Sequence, residues 1–385
     1  MGGNTERWEE KTMRKGHLGL LVIVLCFIVV GLAAAQNQSA EWQKSKHANR
    51  ELAADDAATW EMRKEMAAHC GRCHSEQGFK AWVPRLLKGD PGFLMKPDGS
   101  KADEAYIKGL GLTKDKVQPV TCEACHSGPP ALRIKDNIPL LPNGVPVRAV
   151  GKGALCMACH NTRNGRITWD SPDPKLQYTQ PHEAAQTDVI LGKNVYFYND
   201  TGDTASPHAL FTGDACVACH KILSKGGHTF KAAECETCHG EKMKESFVQT
   251  GTEVLHKQLA ALITKRILAS KEKIACVTSW DEKADKDTPN TVIDGKKIKS
   301  VEIPPGIHGQ ISLKFILEDG KVVMSQMGNI KDACGDQGKP VFATSDPVIR
   351  ALHNYLLFWY DGSKGVHNPR FTRNVLIATI NEMSK

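Results

Sequence analysis

The motif Cys-x-x-Cys-His occurs five times in this chain of 385 residues. The copies are Cys70/Cys73/His74, Cys122/Cys125/His126, Cys156/Cys159/His160, Cys216/Cys219/His220 and Cys235/Cys238/His239, and they use ten of the thirteen cysteines. The pattern is that of covalent c-type haem attachment. Two thiols project from one side of a short helical turn to form thioethers, and the next residue offers an imidazole to the iron. Zinc sites and thioredoxin-like centres also use Cys-x-x-Cys pairs. Neither demands a His directly after the second Cys in every copy, and a thioredoxin-like chain carries one pair. The cofactor expectation is therefore five covalently bound haems c, each with an iron. The proximal metal ligands are His74, His126, His160, His220 and His239.

That load decides the fold class. Roughly 70 residues are available per haem once the N-terminus is set aside. The porphyrins serve as apolar cores and the thioethers staple the chain around them. The expectation is a mainly α and irregular, loop-rich chain wrapped around five haems, with a small β insert and C-terminal helices. An aromatic content of only 6% fits cofactors standing in for interior side chains. The formal charge of +7 is offset by about ten haem propionates. The basic pI of 8.7 thus gives no argument for nucleic-acid binding, and no basic run interleaved with aromatics supplies one.

Residues 1–35 read as a signal peptide or N-terminal membrane anchor. Arg14 and Lys15 precede an apolar run from Leu18 to Ala35, which closes on Ala33-Ala34-Ala35 like a cleavage site. The cleaved form is the favoured reading, although about 18 apolar residues are borderline for a span. Either way the rest of the chain is expected outside the cytoplasm, periplasmic or extracellular, and membrane-attached only if 18–35 are retained. Cys26, within the run, reads as a small apolar residue.

A pentahaem domain is expected over 36–274. It opens with helix formers over 41–69 and closes with an amphipathic helix over 252–270, where Leu255, Leu259, Ile263 and Ile267 share a face. The texture changes over 275–345. Ser300–Ile303 and the pair Ser312–Glu318 and Lys321–Ser325, joined by Asp319-Gly320, read as strands with a hairpin. Cys276 and Cys334 fall in this haem-free insert. An oxidising compartment predicts a disulfide between them, the alternative being two buried thiols. Residues 346–385 read as two helices completing the haem domain, the second with Asn368 as N-cap and Pro369 at its first position.

The sixth position of each iron decides between carrying electrons and binding a substrate. Of fifteen His, five are proximal and His17 precedes the apolar run, which leaves nine candidates. His182, His208 and His228 sit in turn-rich segments beside the haem motifs, where a loop can lay an imidazole over a haem face; a loop His is otherwise solvated. His256 and His353 lie on helices with apolar stripes and read as ordinary packing or exposed residues. His69 is too close to the first motif to ligate the same iron. His308 and His47 stay open on context alone.

The stretches Trp42–Ala48 and Cys70–Phe79, the series of motifs and loop histidines from Cys156 to His239, and the ending Asp361-Gly362-Ser363 and Gly365–Pro369 resemble bacterial multihaem cytochromes. That group is related to the nitrite reductase/hydroxylamine oxidoreductase superfamily. The arrangement is most similar to exported electron-transfer cytochromes, some of which form extracellular filaments. The resemblance covers about 40–270 and 345–385 and omits the β insert. It implies distal ligand roles for His47, His182, His208, His228 and His367. It also implies other redox proteins as partners, with self-assembly as a further expectation.

Five proximal and five distal imidazoles would saturate every iron. The expectation is an electron carrier with no catalytic residue, passing electrons along a chain of bis-His haems. The alternative is a reductase or oxidase of a small nitrogen or sulfur compound with one open haem. Against it, ammonia-forming nitrite reductases have a catalytic motif that ends in Lys, and every motif here ends in His.

Overall fold

The structure, a computed structural model, describes residues 39–385 apart from 58–59, 129, 165–175, 177, 200–203, 221–235, 241–246, 282–285 and 305–308. The apolar run at 18–35, Cys235, His228 and His308 lie outside the described residues. No helix among the described residues is long and apolar enough to cross a membrane.

The N-terminal segment forms several short pieces where the composition predicts continuous helix over 41–69. A turn at Lys46–Ala48 is followed by helices at Arg50–Ala57 and Trp60–Arg63, then α1 (Met66–His74). Two local features interrupt it. The Asn49 side chain accepts from the Leu52 amide at 3.0 Å and starts a new helix. Lys64 takes φ of 49°, in the left-handed region that ends a right-handed run. α1 carries the first motif and turns directly into α2 (Glu76–Leu86). Ser75 makes the corner by accepting from the Gly78 amide at 3.1 Å and donating to the Gly71 carbonyl at 2.7 Å. A Cβ at position 78 would lie 2.1 Å from that carbonyl, so the corner requires glycine. Trp82 and Leu86 of α2 then pack with Ile107, Ile138 and Met157 in a first core.

A second core joins the C-terminal helices to the sheet. It brings together Ile263 and Ile267 of α4 (Phe247–Ala269), Leu356 of α5 (Pro347–Asp361), Leu376 of α6 (Pro369–Ser384), and Leu313 and Phe315 of the sheet. The short helix α3 (Gln186–Ile190) contributes Val189 to the same cluster. Asp346 caps α5, accepting from the Val348 amide at 2.8 Å, and Asn368 caps α6, accepting from the Phe371 amide at 3.4 Å. Each cap is followed by a proline whose missing N–H costs nothing at that position.

The sheet comprises β1 (Cys276–Asp281), β2 (Lys286–Val292), β3 (Ile298–Glu302), β4 (Ser312–Leu317) and β5 (Val322–Lys331), antiparallel in the order β2-β1-β5-β4-β3. The β4–β5 hairpin turns at Asp319-Gly320: Gly320 has φ of 83° and Asp319 accepts from the Lys321 amide at 2.9 Å. β1 and β2 complete the sheet beyond the strands read from sequence. β2 contains Pro289, tolerated because the strand is at an edge. A disulfide joins Cys276, at the start of β1, to Cys334 just after β5, with their Cα atoms 5.0 Å apart. The sheet and the C-terminal helices thus form one packed body.

Candidate haem sites

Each described motif sits on or beside a helical turn: α1 for the first, then Cys122–Cys125, Gly153–Met157, Cys216–His220 and Glu236–His239. A turn of helix places the two cysteines on one side and commits the His that follows to a fixed direction. The sites are numbered one to five in chain order.

At four sites a second imidazole faces the motif imidazole. His74 faces His182 with ring centroids 6.0 Å apart, and His160 faces His47 at 6.0 Å. His220 faces His367 at 6.3 Å, and His239 faces His208 at 6.2 Å. Two metal–nitrogen bonds of about 2 Å, plus roughly 1 Å from each nitrogen to its ring centre, set trans imidazoles about 6 Å apart. Among the described residues no three His, Cys, Asp or Glu side chains converge as an all-protein metal site requires. The residues present therefore fit a planar macrocycle with one imidazole on each face. The four described distal candidates each meet a different motif. His126 follows the second motif, and its remaining candidate partner, His228, lies outside the described residues.

The supporting contacts fix which ring nitrogen is left for a metal. His208 Nδ1 meets the Val366 carbonyl at 3.2 Å; a carbonyl only accepts, so Nδ1 carries the proton. His367 Nδ1 meets Asp361 Oδ1 at 2.5 Å. His160 Nδ1 meets Gln186 Oε1 at 3.2 Å, and the Gln186 amide nitrogen donates to the Tyr360 and Asp361 carbonyls, which fixes the amide's orientation. In all three rings the contact is made by Nδ1, which leaves Nε2 as the nitrogen turned to a metal.

The candidate distal histidines arrive on short segments pinned from several directions. Trp42 Nε1 donates to the Val120 carbonyl at 2.9 Å and brings His47 from the N-terminal segment to the third site. The segment before His182 is stitched to the sheet: the Ile311 amide donates to the Tyr178 carbonyl at 2.8 Å, and the Gln180 amide to the Gly309 carbonyl at 3.0 Å. Tyr178 Oη donates to the Phe342 carbonyl at 2.7 Å. The haem-free insert thus has a position in the site architecture, beside the first site's distal segment. Asp188 on α3 is fully buried and accepts from Asn143, the Thr162 amide and hydroxyl, and Asn194 at 2.6–2.8 Å. It locks the chain just after His160. Burial raises its carboxyl above the usual range, while these donors oppose the rise.

The sites adjoin. The Cys73 and Cys159 side chains lie close enough to influence each other, as do those of Cys156 and Cys216. Glycines allow the second approach: a Cβ on Gly153 would fall 2.8 Å from the Ala215 Cβ, and one on Gly151 2.2 Å from the Gly213 carbonyl. Lys152 closes this junction on Asp214 at 2.9 Å. The third site therefore lies between the first and fourth. Its Cys159 is also within electrostatic range of Cys125 of the second site. The His208–Val366 bond puts the fifth site next to the fourth, because His367 follows Val366.

The histidines read as packing residues are so placed. His353 is fully buried with Nε2 on the Asn194 carbonyl at 2.9 Å. His256 stacks on Tyr355 at 4.0 Å and bonds its carbonyl at 2.8 Å. His69, set aside as a ligand of the first iron because it touches the first motif, lies against Phe93 with ring centroids 4.3 Å apart and planes tilted by 55°. Sequence reasoning missed Asp361, Gln186 and Asp188, because their roles arise only when segments distant in the chain meet.

No family model and no curated protein sequence matches the chain. Among solved structures it superposes on an outer cell wall cytochrome, OcwA, with a TM-score of 0.42 and 16% identity. The match covers 88% of this chain and 50% of that one, so the chain spans about half the length of that protein.

Proposed function

We propose that this chain is an exported pentahaem c-type cytochrome that carries electrons along a row of bis-imidazole haems. The observation that carries the reading is the set of four facing imidazole pairs, each with one member from a Cys-x-x-Cys-His motif and one from elsewhere. Cys70 and Cys73 with His74 and His182 would hold the first haem. Cys156 and Cys159 with His160 and His47 would hold the third, Cys216 and Cys219 with His220 and His367 the fourth, and Cys235 and Cys238 with His239 and His208 the fifth. Cys122, Cys125 and His126 would hold the second, with His228 as its distal ligand.

The bound group supplies reversible one-electron chemistry at iron. The protein's part is to hold the imidazoles in place, with Nδ1 of His160, His208 and His367 each engaged by a fixed partner, so that these ligands stay when the charge changes. It also keeps neighbouring sites within contact, through the Cys73–Cys159 and Cys156–Cys216 approaches. Redox proteins outside the cytoplasm are the partners in this reading, and exposed ends of the row are where they dock.

The test is the optical spectrum of the holoprotein in the presence of nitrite, cyanide or carbon monoxide. The reading expects a low-spin spectrum that none of them alters. Binding of one of them at a single haem would overturn the saturated carrier and favour an enzyme with one open site.

A further inference from the structure

We infer that two buried charges of opposite sign bias the redox potentials of the first and fourth sites, so that electrons run downhill from the fourth toward the first. The inference rests on the bis-imidazole reading above and adds a direction to it.

The negative charge is Asp361, the last residue of α5, 3% exposed. Its Oδ1 takes the Nδ1 proton of His367 at 2.5 Å, and its Oδ2 accepts from the Ser363 amide at 3.3 Å and from the Ser363 hydroxyl. A carboxylate on the outer nitrogen makes an imidazole a stronger donor through its other nitrogen. It also places a negative charge near the metal position in a low-dielectric interior. Both effects favour the oxidised state of the fourth site. The corresponding outer partners of His208 and His160 are neutral, a backbone carbonyl and an amide oxygen.

The positive charge is Arg72, which lies inside the first motif and is 2% exposed. It lines one cavity with Cys70, Cys73, His74 and His182. Its guanidinium donates to the Pro91 carbonyl at 2.5 Å and the Gly92 carbonyl at 2.9 Å, and it lies 5.2 Å from the centre of the Trp82 ring. These acceptors are neutral, and among the described residues no ion pair is formed by Arg72. Arg163 lines the same cavity and adds positive charge, opposed in part by Glu183, which lies within electrostatic range of it. The net positive charge favours the reduced state of the first site.

The third site touches both and provides the route. One electron leaves the fourth site, which is oxidised, and the first site gains it and is reduced. An external one-electron donor refills the fourth site, an external acceptor empties the first, and no atom moves.

The test is an EPR-monitored redox titration of the holoprotein. The fourth-site signal is identified as the one lost in His367→Ala, and the first-site signal as the one lost in His182→Ala. In the native protein the fourth site should still be oxidised at potentials where the first is already reduced. Asp361→Asn should raise the fourth-site midpoint by about a tenfold change in the oxidised-to-reduced ratio, or about 59 mV for a one-electron couple. Arg72→Gln should lower the first-site midpoint, and Arg72→Lys should restore it. Coincident or inverted native midpoints would overturn the inference without recourse to any variant. So would a fourth-site midpoint unmoved in a low-spin Asp361→Asn protein. Survival of every low-spin signal in His367→Ala would instead overturn the ligand assignment, and the inference with it.

Discussion

His47 and His160 face each other across 6.0 Å with their ring planes at 84°, although one belongs to the N-terminal segment and the other ends the third Cys-x-x-Cys-His motif. Burial lowers the pKa of His47 to about 4, with His160 adding to the effect, so the ring is neutral and able to bind a metal at neutral pH. Replacing His47 by Ala should convert one haem in five to a high-spin form that binds cyanide, leaving the others unchanged. Trp42→Phe, which removes only the indole bond to Val120, should produce the same species in part. Absorption spectra with and without cyanide check both.

The Cys276–Cys334 disulfide closes a long loop around the sheet. Loop-closure entropy puts its stabilisation at about 4 kcal/mol. The double variant Cys276→Ser/Cys334→Ser should unfold at lower denaturant by that order. The sheet is bonded to residues 178–180, so any spectral change on partial unfolding should begin at the site that uses His182. Denaturation followed by far-UV circular dichroism and by the haem absorption together would show whether the two transitions separate in this order.

Asp188 collects four donors in a fully buried position. Asp188→Ala strands them and should cost at least about 2 kcal/mol. The loss should be accompanied by poor haem occupancy at the third site, whose motif the aspartate secures. Haem quantitation per polypeptide is the readout.

His256 is held neutral by burial, against a smaller opposing effect of its bond to the Tyr355 carbonyl. Its folded pKa lies below the unfolded value of 6.5. The unfolded chain therefore binds the proton more readily. The stability His256 contributes is complete above pH 6.5 and is lost as pH falls through the folded pKa. His256→Gln keeps a donor for Tyr355 without titrating. Its stability should fall less steeply below pH 6.5 than that of the native chain, as read by denaturant midpoints over a pH series.

The motifs behind the haem reading were plain in the sequence, because Cys-x-x-Cys-His is local and each copy needs only one helical turn. The C-terminal helices were equally legible from Asp346-Pro347 and Asn368-Pro369, where cap and proline act within a few residues. The pairing of imidazoles was not legible, since it depends on where Trp42 and the sheet anchor distant segments. The interruptions at Asn49 and Lys64 were hidden among good helix formers, and β1 and β2 by polar residues and Pro289. Asp361 stood in a stretch that already drew notice, Asp361-Gly362-Ser363. Only the folded chain places its carboxylate on His367.

The EPR spectrum of the oxidised holoprotein tests the central claim most directly. Perpendicular imidazole planes leave the two iron dπ orbitals nearly degenerate and give strongly anisotropic low-spin signals. Smaller angles separate those orbitals and give rhombic signals. The pairs His47–His160 and His208–His239 stand at 84° and 85°, and the pairs His74–His182 and His220–His367 at 34° and 50°. The expected spectrum is wholly low-spin and accounts for all five haems, with two sites of the first kind and two of the second among the four described pairs. A high-spin signal amounting to one haem or more would contradict it.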